Sequence, residues 1–132
     1  NGYNINVGNP HAVVFVEKIE DVGSLDDAPI VRPKDSYPEG VNVEFVEILP
    51  GQEAKMRVHE RGSGETKSCG TGTCAVALAA TLHSKQALPS RWVIYPPGGR
   101  LVVDIDPHSN ATLTGPALLI SDHDITQYLQ EA

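Results

Sequence analysis

Over 41–45 apolar and polar residues alternate: Val41, Val43 and Phe45 fall on one face, Asn42 and Glu44 on the other. That period of two is the signature of a strand whose faces meet different surroundings. It returns after a Pro50-Gly51-Gln52 turn, where Met56 and Val58 alternate with Arg57 and His59, and predicts strands over 41–48 and 54–60. Upstream, Val13, Val14, Phe15 and Val16 run without a polar break, as in a strand covered on both faces. Strands are predicted there over 3–7 and 11–17, separated by Gly8, Asn9 and Pro10. Four shorter strands are predicted over 91–95, 101–105, 111–113 and 117–120, joined by Pro96-Pro97-Gly98-Gly99 and Pro107-His108-Ser109-Asn110. One segment reads as a helix, 74–84, where Ala75, Val76, Ala77, Leu78, Ala79, Ala80 and Leu82 make nearly every side apolar. Such a helix belongs inside, buried all round. The stretch 21–38 is polar and Pro-punctuated, with room for at most a short helix after Ser24. These elements predict an α+β fold: a mixed, largely antiparallel β-sheet wrapped around one buried central helix.

Composition narrows the field. A chain of 132 residues suits one domain, and 12 Gly with 10 Pro favour many short elements over long helices. Ten Lys and Arg against 17 Asp and Glu give a net charge of −7 with no basic run, which argues against nucleic acid or an anionic membrane surface as a partner. The apolar stretches 12–16 and 74–80 fall far short of the roughly 18 residues a membrane-spanning helix needs. No basic leader with an apolar core is visible, so no signal peptide is expected. Two cysteines, Cys69 and Cys74, do not form a disulfide framework and suit a reducing, cytoplasmic compartment. The chain opens at Asn1 and its one methionine is Met56, which favours a piece of a longer protein.

The densest candidate chemistry is Ser68-Cys69-Gly70-Thr71-Gly72-Thr73-Cys74, running into the apolar helix. Cys69 is expected just before the helix, where unpaired N–H groups and the helix dipole favour negative charge. That position can lower a thiol pKa from its usual value of about 8.5, while Gly70 and Gly72 let the backbone approach an anion. The same residues would equally serve a tight helix entry with Cys69 as a small packing residue. Cys74 reads as a packing residue. Were both helical, the rise alone would separate it from Cys69 by roughly 7.5 Å, too far for a disulfide. His11, His59, His83, His108 and His123 show no ligand-pair spacing, so no metal is expected. Two polar clusters break the apolar pattern: Gly8-Asn9-Pro10-His11 between strands, and His59-Glu60-Arg61-Gly62 at a strand end. An Asn-Pro turn accounts for the first, a solvated hairpin tip for the second, and the outward face of an edge strand for Asn42.

Four blocks together carry a resemblance. They are Val7-Gly8-Asn9-Pro10-His11, Pro38-Glu39-Gly40-Val41-Asn42-Val43-Glu44-Phe45, Val58-His59-Glu60-Arg61-Gly62-Ser63-Gly64-Glu65-Thr66 and Ser68-Cys69-Gly70-Thr71-Gly72-Thr73-Cys74-Ala75. In order and spacing they resemble the C-terminal half of the diaminopimelate epimerases, as far as Gly115-Pro116-Ala117. The cysteine block alone is shared with proline racemases; the first and third blocks narrow the match. The resemblance implies a cofactor-independent isomerase of lysine and peptidoglycan synthesis that interconverts LL- and meso-diaminopimelate between two cysteines, one from each of two similar domains. It assigns Cys69 as one catalytic thiol, with Glu60 touching substrate and tuning the thiols and His11 helping. Gly70 and Thr71 would offer N–H groups to the reacting α-carboxylate, and Asn9, Asn42 and Arg61 would hold the distal end. It places 1–120 in the C-terminal domain and 121–132 in a tail that packs on the first domain or on another copy. The first domain, with its own cysteine motif, is not in this sequence, so the chain alone is expected to be silent, and its cleft face invites self-association. A proline- or hydroxyproline-type racemase, a thiol hydrolase with Cys69 as nucleophile and His11 or His59 as base, and a non-catalytic binding module remain the alternatives.

Overall fold

The computed structural model describes residues 1–129. Its strands are β1 (Tyr3–Asn6), β2 (Pro10–Phe15), β3 (Asn42–Leu49), β4 (Glu53–Glu60), β5 (Gly64–Thr66), β6 (Ser90–Tyr95), β7 (Leu101–Ile105) and β8 (Ala111–Thr114). They form one eight-stranded sheet in the order β1-β2-β3-β4-β6-β7-β8, with β5 beside β4. The β2–β3 and β4–β6 pairs are parallel and the others antiparallel. The sheet curls around α1 (Gly70–His83), which packs against every strand except β5. A short α2 (Thr126–Leu129) follows. The α+β architecture with a central helix is therefore as the sequence predicts.

The register shows which face looks inward. Val13 of β2, Val46 of β3 and Ala54, Met56 and Val58 of β4 pack with Ala75, Val76, Ala77, Ala79 and Ala80 of α1. Small helix residues bring the strands close, and Trp92, Ile94, Val103 and Ile105 close the far side. There the Trp92 indole donates to Thr81 Oγ1 at 3.0 Å, and Thr81 is also 3.0 Å from Ser90 Oγ. The outer face is bound to the 17–38 segment. Arg57 donates to the Val22 and Gly23 carbonyls and to both Glu65 oxygens, and His59 Nδ1 donates to the Leu25 carbonyl at 2.7 Å.

Several expectations need correction. The helix starts at Gly70 instead of 74, because Gly-Thr-Gly-Thr carries no apolar period although its backbone is helical. It is not buried all round: Leu82 is 61% exposed, and Cys74 and Leu78 are only partly covered. With Gly70 these residues form a stripe spaced by four, of which Gly70, Cys74 and Leu78 line a cleft between β1 and β8. Within the allowance of at most a short helix, the 21–38 segment carries only a 3₁₀ turn at Lys34–Ser36, after another at Ile19–Asp21. The stretch after the His59-Glu60-Arg61-Gly62 tip, for which no strand is predicted, returns as β5. The strand expected over 117–120 is absent, and Leu118, Leu119 and Ile120 are 83%, 85% and 88% exposed. Apolar content alone cannot make a strand without an edge to pair with. Of the expected 121–132 tail, Gln130, Glu131 and Ala132 lie outside the described residues. No helix among the described residues is long and apolar enough to cross a membrane.

Candidate active site

On the inner face, the apolar rows of β2, β3 and β4 end in polar residues at one common end. His11 and Asn42 are register partners, Glu44 lies opposite Val58 two residues further along β3, and Glu60 closes β4. The mouth of α1 meets this end. A Cβ at Gly72 would come 2.7 Å from Glu44 Oε1 and 3.1 Å from Cys69 Sγ, so the helix backbone rests directly on these groups. His11 and Glu44 are both fully buried, with Nδ1 and Oε1 2.6 Å apart. The second ring nitrogen of His11 is 3.1 Å from Asn9 Oδ1, and Asn9 Nδ2 donates to Thr71 Oγ1 at 3.3 Å. One polar chain thus runs from the interior to the first turn of the helix.

Cys69 is the N-cap of α1, as its position before the helix predicts. Its backbone is extended, with φ −141°, and Sγ accepts the Gly72 N–H at 3.3 Å. The Thr71 hydroxyl is 3.7 Å from the same sulfur. The N–H groups of Gly70 and Thr71 lie in the first turn, where a helix offers no internal acceptor. The expected lowering of the thiol pKa does not occur. Burial pushes the Cys69 thiol up, and the neighbouring Glu60 carboxylate adds to this, outweighing the Gly72 N–H and the Thr71 hydroxyl. Cys69 therefore rests as a thiol near neutral pH. Glu60 is steadied by the Thr66 hydroxyl, which donates to Oε1 at 2.8 Å.

Asn42 is buried at 6% exposure, not on an outward face. Its amide donates to the Pro10 carbonyl at 3.0 Å and accepts the Arg61 N–H at 2.9 Å, tying the Asn9-Pro10 turn to the end of β4. The Arg61 side chain lies over Gly40, where φ is +83° and a Cβ would sit 3.0 Å from Arg61 Cδ. Asn9, Pro10, Tyr37, Glu39, Gly40 and Arg61 line an open cleft of about 460 Å³. A second cleft, of about 600 Å³, is lined by Asn6, Gly70, Thr71, Cys74, Leu78 and Leu113. Asn9 belongs to the first and bonds to Thr71 of the second. Cys74 lines the second cleft, so it is not wholly a packing residue; burial raises its pKa first, with a smaller push from Cys69. No group of three or more His, Cys, Asp or Glu among the described residues is disposed to hold a metal ion.

A sequence profile of diaminopimelate epimerase matches residues 3–120. The chain belongs to the diaminopimelate epimerase family. It is similar to the diaminopimelate epimerase of Streptomyces coelicolor, 44% identical over 124 residues that make up 90% of this chain and 43% of that protein. It is 39% identical to the diaminopimelate epimerase of a Bacillus cereus strain over 128 residues, 97% of this chain and 44% of the relative. The chain thus spans less than half the length of these curated relatives. A crystal structure of a phenazine biosynthesis PhzF family protein from Enterococcus faecalis superposes with a TM-score of 0.53 at 20% identity, over 79% of this chain and 37% of that one; it speaks for the fold alone.

In this epimerase-family chain the residues singled out by sequence split into two groups. His11, Asn9, Thr71, Gly70, Cys69 and Glu60 gather at the helix mouth, while Arg61 borders the neighbouring cleft and Asn42 holds the two regions in register. His59 stands apart on the outer face. Sequence reasoning missed Glu44. Its signal was there: Asn42, Glu44 and Val46 share one face, and Val46 is core.

Proposed function

We propose that this chain supplies one half of a cofactor-independent diaminopimelate epimerase site in cytoplasmic lysine and peptidoglycan synthesis, with Cys69 as one of two opposed acid–base thiols. The observation that carries the reading is Cys69 capping α1 beside Glu60, with the Gly70 and Thr71 N–H groups in the first turn of the same helix mouth. The substrate α-carboxylate accepts those two N–H groups, which face it with the positive end of the helix. A thiolate of the complementary domain takes the α-proton from one face of the carbon. The Cys69 thiol, held protonated, gives a proton to the other face and becomes the thiolate; the reverse reaction exchanges the roles. Proton and charge balance across the pair, and the weakly acidic α-proton demands this pre-alignment in a closed site. The distal amino-acid end lies toward Arg61, whose guanidinium suits a carboxylate, with Asn9 and the remaining amide N–H of Asn42 beside it. His11 and Glu60 complete the polar wall. Cys74 sits on the same helix as Cys69 and so cannot face the opposite side of one carbon.

A thiol hydrolase lacks support, because both ring nitrogens of His11 are bonded to other groups, His59 is tied through Nδ1 to the Leu25 carbonyl on the outer face, and among the described residues neither is bonded to Cys69. The test joins this chain to the complementary half of the Streptomyces coelicolor relative and follows α-hydrogen exchange of diaminopimelate in deuterated water. Exchange and epimerisation are expected in the joined protein and not in the chain alone, and Cys69→Ala abolishes epimerisation. Epimerisation that survives Cys69→Ala, or turnover of proline but not diaminopimelate, overturns the reading.

A further inference from the structure

We propose that Glu44 is a positioning residue of this site: it is protonated, donates through Oε1 to His11 Nδ1, and so holds His11 as the Nε2–H tautomer, a donor to Asn9 and not a base. The inference rests on the function proposed above for its catalytic consequence, and on the hydrogen bonds alone for its chemistry.

The protons can be assigned in turn. Asn9 Nδ2 donates to Thr71 Oγ1, so Asn9 Oδ1 is the atom facing His11 Nε2, 3.1 Å away. An amide oxygen only accepts, so Nε2 carries hydrogen. The 2.6 Å contact between His11 Nδ1 and Glu44 Oε1 then needs one shared proton. Two arrangements supply it: an imidazolium with a carboxylate, or a neutral imidazole with a carboxylic acid. The other carboxyl oxygen decides between them. Glu44 Oε2 is buried and has no hydrogen-bond partner among the described residues. An ionised carboxylate would leave charge on that bare oxygen, which costs more than leaving a neutral carbonyl-like oxygen there. A proton on Oε2 would lack an acceptor, so it stays on the Oε1 side. The surrounding groups agree: Glu60, two residues along β4 from Val58 that lies opposite Glu44, is acidic, Cys69 rests as a thiol, and burial raises the Glu44 pKa above its ordinary value. The neutral arrangement satisfies every hydrogen bond from Glu44 to Thr71 without a buried charge.

Such a chain fixes the amide of Asn9 at the helix mouth, and it denies His11 the free lone pair that a base toward Cys69 would need. The prediction is direct. In ¹⁵N-edited spectra of the chain at neutral pH, His11 shows a protonated Nε2 and a non-protonated Nδ1, and infrared difference spectra show a protonated carboxyl stretch that Glu44→Gln removes. Glu44→Gln keeps the tautomer, since its amide can still donate to Nδ1; Glu44→Leu removes the donor to Nδ1 and leaves the ring held by Asn9 alone. Both ring nitrogens protonated in the unaltered chain, or no protonated carboxyl stretch that Glu44→Gln removes, overturns the proposal. Should Glu44→Leu not fold, the unaltered chain and Glu44→Gln still decide. In the joined two-domain enzyme Glu44→Gln retains kcat, whereas Glu44→Leu loses about 5- to 100-fold, the range for one buried hydrogen bond. If the joined enzyme has no activity with any variant, the epimerase reading fails while the spectra still judge the tautomer.

Discussion

Replacing Gly72 by alanine tests how the helix mouth meets the polar floor. A methyl group there would sit 2.7 Å from Glu44 Oε1, 3.1 Å from Cys69 Sγ and 3.3 Å from Cys69 Cβ. Glu44 cannot swing aside freely, because it is fully buried and the same oxygen bonds His11 at 2.6 Å. Overpacking of this kind costs about 1–3 kcal/mol, and loosening the buried hydrogen bond costs about 1–3 kcal/mol more. Better helix propensity returns about 1 kcal/mol. The net is a loss of about 3 kcal/mol, which for a domain of this size lowers Tm by roughly 10 °C. Gly70→Ala is the matched control. It lies in the same helical turn, but its added methyl would meet only Leu113 Cδ2 at 3.4 Å, an ordinary contact. Thermal and urea unfolding, followed by circular dichroism, should therefore separate two variants that propensity alone would rank together. If Gly72→Ala melts with Gly70→Ala, α1 does not rest on Glu44, and the assembly of the site described above is wrong.

Further predictions concern the groups around this mouth and the outer face. Glu60→Gln removes a negative neighbour that helps raise the Cys69 pKa, so Cys69 should alkylate faster with iodoacetamide near neutral pH; an unchanged or slower rate contradicts the placement of Glu60. Glu44 has a raised folded-state pKa. The stability it brings is whole below its unfolded value and is lost as pH rises toward the folded one, so the advantage over Glu44→Gln should shrink on going from acid toward neutral pH. Arg57→Met removes the donors to Val22, Gly23 and Glu65 and should make the 17–38 segment a faster proteolysis target; an unchanged cleavage rate there would show that the segment is held by other contacts. Trp92→Phe leaves the buried Thr81 and Ser90 hydroxyls one donor short and should cost about 1–3 kcal/mol in urea unfolding.

The alternation in β3 and β4 was plain in the sequence, and so was the central helix, because period two and an unbroken alanine-rich run each point to one backbone. What period two does not tell is which face lies inside. Here both faces are covered, one by α1 and one by the 17–38 segment, so Asn42 and Glu44 read as outward polar residues although both are buried. The N-cap position of Cys69 was legible from the glycines beside it. Its pKa direction was not, because the dipole argument is local while the opposing burial and the Glu60 charge come from the fold. The 117–120 run failed for a related reason. β8 ends at Thr114, Gly115-Pro116 follows, and the apolar residues beyond find no strand edge.

The site owes its place to a break along one strand. The edge of β4 away from β3 is shared: β5 pairs with Val58–Glu60, and β6 pairs with Glu53–Lys55. Between these two partners the edge is free, and the chain leaving β5 turns there into α1. The Lys67 carbonyl accepts the Gly98 N–H at 2.7 Å, so the turn after β6 pins the entry. At Gly98 a Cβ would come 2.9 Å from that same oxygen, so a side chain would force the two segments apart. Because β5 is only three residues long, the helix begins beside the end of β4, where Glu60 and Arg61 are, and not beside its apolar middle. A longer hairpin would carry Cys69 away from Glu60. The short one sets the thiol, the acid and the first-turn N–H groups at the same end of the barrel, where β2 and β3 contribute His11, Asn42 and Glu44.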